Sequence, residues 1–255
     1  MANKTRWNKV KRSVKRFWKQ NKSLIKGGGQ LLLAVFLVVL ITIPFLREDN
    51  PGNDFGIDVS SHNGKVAWDD VAENGVAFAV LRAGGRSYGN GDLYKDARFK
   101  HNMRAAWFHH IDRGVYFYSQ AVTEEEAVEE ADFVLRRVNG AALELPVFLD
   151  IEDTGTNGRG RADGLSRDER TAVALAFCAR IAEKGYTPGV YANKWYLESA
   201  LEAEALEAAG VQIWLAEYTQ KNTPAYAGSY DYWQYSKRGT VPGIAGEVDL
   251  DRAVR

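Results

Sequence analysis

Asp150 and Glu152 lie two residues apart in Val147-Phe148-Leu149-Asp150-Ile151-Glu152, an apolar run that ends in acid. On an extended strand such residues share a face, with Cα atoms ~6.5–7 Å apart. Two carboxylates that close repel when both ionise, so one keeps a proton beside a charged neighbour. That pair equips a site to hydrolyse a glycosidic bond: an acid for the leaving oxygen, and negative charge to steady an oxocarbenium-like state. Asp58, in Phe55-Gly56-Ile57-Asp58-Val59, and Asp249, in Glu247-Val248-Asp249-Leu250, sit in similar strand settings. A single strand-end Asp is ordinarily a loop cap, and Asp-x-Glu is a common tripeptide. The reading rests on all four carboxylates, Asp58, Asp150, Glu152 and Asp249, meeting at one rim.

Aromatic residues fall at the same strand ends: Tyr116, Tyr118, Tyr191, Trp214, Tyr218 and Trp233, with Gln234 beside the last. Sugar C–H faces pack on such rings, and sugar hydroxyls need polar partners such as Gln234. Any one of these rings taken alone is ordinary core. His62, His101, His109 and His110 match no zinc spacing. The carboxylates could hold a hard cation, so a carboxylate–metal hydrolase stays open as a rival, although no metal and no cofactor are expected. A catalytically silent binding or assembly protein is the rival from another class. Cys178, the one cysteine, lies among Ala174, Phe177 and Ile181 and reads as a buried, inert thiol.

These residues need strands to carry them. Apolar or β-rich runs occur at 55–60, 77–83, 114–119, 145–151 and 188–192, with helical patterns at 66–74, 97–110, 124–139, 167–184 and 195–209. Thr123 with Glu126 predicts a capping box for the third helix. Three further strands, 211–216, 231–236 and 247–250, follow with little helix between them. Five βα units and three more strands predict an α/β fold, an irregular TIM-like barrel, with an open doubly wound sheet as the alternative. Asp58-Val59-Ser60-Ser61-His62 is no phosphate loop, so the first strand carries no nucleotide fingerprint.

The 255 residues have zero net charge, but that balance hides a split. Residues 1–26 hold ten Lys/Arg and no acid, whereas 47–255 hold 23 bases and 33 acids, and 23 − 33 gives −10. An acidic body excludes nucleic acid as a partner at long range. Residues 27–46 carry no charge, and twenty helical residues span ~30 Å, one hydrocarbon core. The expected organisation is a basic cytoplasmic arm at 1–26, a transmembrane signal-anchor helix at 27–46, a linker at 47–54 and a barrel domain at 55–255. The expected location is the cell membrane, single-pass, with the barrel extracytoplasmic, or secreted if the segment is cleaved. Protein partners and oligomeric state are not legible.

From Phe55 onward the chain resembles glycoside hydrolase family 25, the muramidase-type lysozymes. The likeness is carried in order by Gly56-Ile57-Asp58-Val59-Ser60, Gly114-Val115-Tyr116-Phe117-Tyr118-Ser119, Leu145-Pro146-Val147-Phe148-Leu149-Asp150-Ile151-Glu152, Gly189-Val190-Tyr191, Ile213-Trp214-Leu215-Ala216-Glu217-Tyr218, Trp233-Gln234-Tyr235-Ser236 and Val248-Asp249-Leu250. The resemblance implies the barrel counted above and cleavage of the β-1,4 bond between N-acetylmuramic acid and N-acetylglucosamine in peptidoglycan glycan strands. It implies Glu152 as general acid and Asp150 as the group that orients the substrate's N-acetyl arm, with Asp58 and Asp249 completing the site. Two segments depart from the pattern. Arg82 stands where Lys is expected, before a glycine-rich loop, and Trp107-Phe108-His109-His110-Ile111-Asp112 replaces a Gly-containing turn. Neither is expected to touch the carboxylates, and both are expected to alter substrate fit.

Overall fold

The computed structural model describes residues 54–156 and 158–254, all within the unit Gly52–Arg255. In chain order the strands are β1 (Phe55–Val59), β2 (Phe78–Arg86), β3 (Leu93–Lys95), β4 (Asp112–Tyr118), β5 (Val147–Ile151), β6 (Pro188–Asn193), β7 (Gln212–Ala216), β8 (Tyr232–Gly239) and β9 (Val248–Ala253). The α-helices are α1 (Trp68–Glu73), α2 (Phe99–Phe108), α3 (Glu124–Val138), α4 (Arg167–Glu183) and α5 (Ala203–Ala208).

Strands β1, β2, β4, β5, β6, β7 and β8 run parallel, and β9 returns antiparallel between β8 and β1. The β1–β2 pairing closes the ring, so eight strands form a barrel, and the open-sheet alternative is excluded. Helices α3 and α4 pack outside against each other and the strands. One apolar layer, including Ile57, Leu81, Phe117, Leu149, Phe177 and Leu215, lies between helices and strands. A second, with Phe78, Val80, Phe148, Tyr191 and Trp214, fills the barrel. Glycine makes room for these inner rings. A Cβ on Gly189 would sit 2.3 Å from the Phe148 ring, and one on Gly56 2.3 Å from Phe78.

Local differences from the sequence reading have physical causes. Thr123 Oγ1 accepts from Glu126 N–H, but the Glu126 carboxylate turns to Val122 N–H and Arg161, so only half the expected box forms. A complete box caps α4 instead, through Ser166 and Glu169. The predicted helix 195–209 is two pieces, a π-helical turn Tyr196–Ala200 and α5. Between them Leu201 is extended and buried, its carbonyl accepting from Arg167 Nε at 2.9 Å. Strand β2 runs past the predicted end, because Gly84 and Gly85 leave space for β3 to lie against it.

The expected membrane reading is corrected. Among the described residues no helix is long and apolar enough to cross a membrane. The longest, α4, has 17 residues and carries Arg167, Asp168, Glu169, Arg170, Arg180 and Glu183, charges that suit a helix packed on one face. The predicted arm, span and nearly all of the linker lie outside the described residues.

Candidate active site

The carboxylates gather at the C-terminal mouth of the parallel strands, where βα barrels place their chemistry. Asp150 is the penultimate residue of β5, and Glu152 follows the strand end. Register sets Asp150 between Tyr118 of β4 and Tyr191 of β6. The antiparallel corner supplies the rest: Asp58 of β1 stands opposite Asp249 of β9, and Asp251 opposite Gln234 of β8. An open cleft of about 500 Å³ is lined by Asp58, Tyr116, Asp150, Glu152, Tyr191, Trp214, Tyr218, Gln234, Lys237 and Asp249.

Hydrogen bonds fix this wall. Gln234 Nε2 donates to Asp58 Oδ2 at 2.6 Å, while Gln234 Oε1 accepts from the hydroxyls of Tyr191 at 2.9 Å and Tyr218 at 2.8 Å. Trp214 Nε1 donates to Asp251 Oδ1 at 2.9 Å. The indole itself is wedged against Tyr191, with ring centroids 4.6 Å apart, and Phe148, at 5.1 Å. Asp150 Oδ1 is buried and has no hydrogen-bond partner among the described residues.

Burial among like charges makes the cluster retain protons. Burial pushes Asp58 well above the usual carboxylate range, aided by Asp251 and Asp249. Burial and then Glu152 do the same to Asp150, against the pull of Arg82. Glu152 reaches solvent, yet protein atoms crowd its carboxyl, and that crowding raises it too, again opposed by Arg82. Asp249 is raised by burial, with Lys237 acting in the opposite direction. The cluster therefore titrates as a coupled set, with protons shared among its members.

Of the residues singled out from sequence, Asp58, Asp150, Glu152, Asp249, Tyr116, Tyr191, Trp214, Tyr218 and Gln234 share the cleft. Tyr118 stands beside it, its ring under the Arg82 guanidinium at 5.3 Å. Trp233 does not join them. Strand alternation turns it outward from Gln234 into the helix-side core, where its Nε1 donates to the Glu217 carbonyl.

Three residues take a part in the site that the sequence did not give them. Asp251 is fully buried, and its two-residue spacing from Asp249 was the available signal. Arg82, expected to bear on substrate fit without touching the carboxylates, makes no hydrogen bond or ion pair with them among the described residues, yet its charge favours the anionic forms of Asp150 and Glu152. It is held by the Tyr94 hydroxyl at 2.5 Å and packs over Tyr94, Tyr116 and Tyr118. Lys237 is the third. Cys178 stays out of the chemistry, its thiol buried and pushed up to about 12.

A closed βα barrel whose C-terminal mouth combines paired acids with an aromatic-lined cleft defines a class: proteins with the equipment of a carboxylate glycosidase. The chain belongs to the glycosyl hydrolases family 25, whose model matches residues 57–244. It is 28% identical over 203 residues to Lysozyme M1 of Streptomyces globisporus, covering 77% of this chain and 66% of that protein. Its fold matches the crystal structure of the bacterial lysozyme from Streptomyces coelicolor with a TM-score of 0.66 and 26% identity, over 80% of this chain and 93% of that one. It also matches the modular autolysin LytC from Streptococcus pneumoniae, in complex with synthetic peptidoglycan ligand, with a TM-score of 0.64 and 26% identity, over 78% of this chain and 46% of that one. The chain spans between 54% and 66% of the length of the first curated relatives it matches.

Proposed function

We propose that the protein is a muramidase that hydrolyses the β-1,4 bond from N-acetylmuramic acid to N-acetylglucosamine in peptidoglycan glycan strands. The observation that carries this reading is the Asp150–Glu152 pair, set on one face at the end of β5 and opening into the cleft. Membership of family 25 supports the same reading.

Glu152 is the general acid. It is the member of the pair that reaches solvent, and hence the one a glycosidic oxygen can approach. Asp150 orients the substrate's acetamido group. Burial raises both carboxyls, and the charge of Glu152 raises Asp150 further, so the pair retains a proton. A substrate N–H donated to the unpartnered Asp150 Oδ1 favours its ionised form. The negative charge on Asp150 then favours the retained proton on Glu152, the acid. The acetamido oxygen can then attack the anomeric carbon, stabilised by ionised Asp150, while Glu152 protonates the leaving oxygen. Water returns the sugar, with Glu152 now acting as base. Asp58 and Asp249 keep the opposite wall acidic, and Tyr116, Tyr191, Trp214 and Tyr218 shape the sugar cleft. The domain assignment of 55–255 as the hydrolase unit belongs to this proposal.

The test is digestion of purified peptidoglycan with mass spectrometry of the products. Fragments with a reducing N-acetylmuramic acid end support the reading. A reducing N-acetylglucosamine end moves the scissile bond, and no cleavage of several wall types by folded protein overturns it.

A further inference from the structure

Lys237 enters the cleft because β8 is irregular. Along β8 and β9, Trp233 pairs with Arg252 and Gln234 with Asp251, but Ser236 pairs with Leu250 and Gly239 with Val248. The register slips one residue between Gln234 and Ser236, and again between Ser236 and Gly239. Strict alternation from inward-facing Gln234 would send Ser236 inward and Lys237 outward. The first bulge reverses that order and sets Lys237 beside Asp249, on the inner face. Both residues line the cleft, and the Lys237 ammonium stands 5.3 Å from the centroid of the Tyr218 ring. That ring is itself tied to Gln234. Lys237 makes no salt bridge among the described residues, so its ammonium, over the Tyr218 ring and beside Asp249, has hydrogen-bond donors to offer a ligand. Arg82, the other cation near the acids, is occupied by Tyr94 and enclosed by tyrosine rings.

We propose that Lys237 is a specificity determinant whose ammonium receives a carboxylate borne on the 3-O side of the muramic sugar. Lys237 is the one cation among the residues that line the cleft, so an anionic substituent lies most favourably beside it. The carboxylate can be the free lactyl acid of a peptide-free strand or a carboxylate of an attached stem peptide. The inference rests on the muramidase reading and deepens it.

The full chain and its Lys237→Met and Lys237→Arg variants would be assayed on three glycans: peptide-free strands, peptide-bearing strands, and peptide-free strands with their carboxyls amidated. For Lys237→Met, kcat/KM on a carboxylate-bearing strand should fall about fivefold relative to the amidated one, through KM, because a single exposed ion contact is lost. Lys237→Arg should restore most of it. A fall confined to peptide-free strands assigns the lactyl acid, and a fall confined to peptide-bearing strands assigns the stem peptide. An unchanged ratio across all three glycans overturns the proposal, including the case in which every substrate shows the same shift in pH profile. Inactivity of the unsubstituted protein on all three would instead overturn the muramidase reading on which it rests.

Discussion

Gln234 Nε2 donates to Asp58 Oδ2 across 2.6 Å, joining residues 176 positions apart. The same amide accepts from Tyr191 and Tyr218, so one side chain ties β1, β6 and the segment after β7 together at the cleft. Strand β9 makes the contact possible, because it pairs with β1 on one side and with β8 on the other and so holds Asp58 and Gln234 across it. Replacing Gln234 by Leu leaves Asp58 and the buried Tyr191 hydroxyl without that partner. A stability loss of roughly 2 kcal/mol or more is expected, since unsatisfied buried groups cost about 1–3 kcal/mol each. The urea unfolding midpoint measures it, and an unchanged midpoint would show that the amide has no structural part.

Glu152→Gln keeps the shape of the acid but cannot give up a proton. A fall in kcat of at least about a hundredfold is expected, the usual contribution of a positioned general acid. Thermal stability should hold, because the side chain reaches solvent and its removal relieves repulsion from Asp150. Near-normal turnover in the variant would remove Glu152 from the acid's role.

Arg82 lowers the proton affinity of both Asp150 and Glu152. Without its charge each carboxyl holds its proton to higher pH. In Arg82→Met both limbs of the kcat/KM profile should therefore move toward alkaline pH: the acid limb, where Asp150 must ionise, and the alkaline limb, where Glu152 must stay protonated. A profile that moves toward acid pH, or not at all, contradicts the role given to Arg82.

Behind the site Glu130 is wholly buried, accepting from Arg86 Nε at 2.8 Å and Ser119 Oγ at 2.7 Å. Burial nonetheless pushes its carboxyl up to about 7 from 4.5. Between those values the folded chain holds a proton that the unfolded chain has lost, so stability falls as pH rises through that window. Glu130→Gln should be less stable overall, having lost the buried partner of Arg86, and should lack this component of the decline. Unfolding free energies at pH 4 and pH 7.5 measure both effects. Parallel pH curves for the two proteins would contradict the shift.

Local patterning made much of this protein legible. The apolar runs marked eight barrel strands, because a strand buried on both faces must be hydrophobic throughout. The Asp150–Glu152 spacing placed two acids on one face, because strand side chains repeat every two residues. Strand β3 was not legible, since it exists only where Gly84 and Gly85 admit it. The break at Leu201 was hidden too, because an anchor on α4 decides it.

The sequence by itself determined the eight barrel strands and the four acids at strand ends through local periodicity, and the family through its motifs, whereas the order of strands and the closure of the ring came from the structure. Tertiary structure alone decided which neighbours surround those acids. The antiparallel β8–β9 pairing sets Asp251 beside Gln234, and the extra strand β3 brings Tyr94 to Arg82. The β8 bulges turn Lys237 into the cleft, and regular alternation sends Trp233 out of it. Register between distant strands is settled by packing across the whole ring, and a one-residue slip reverses every face beyond it.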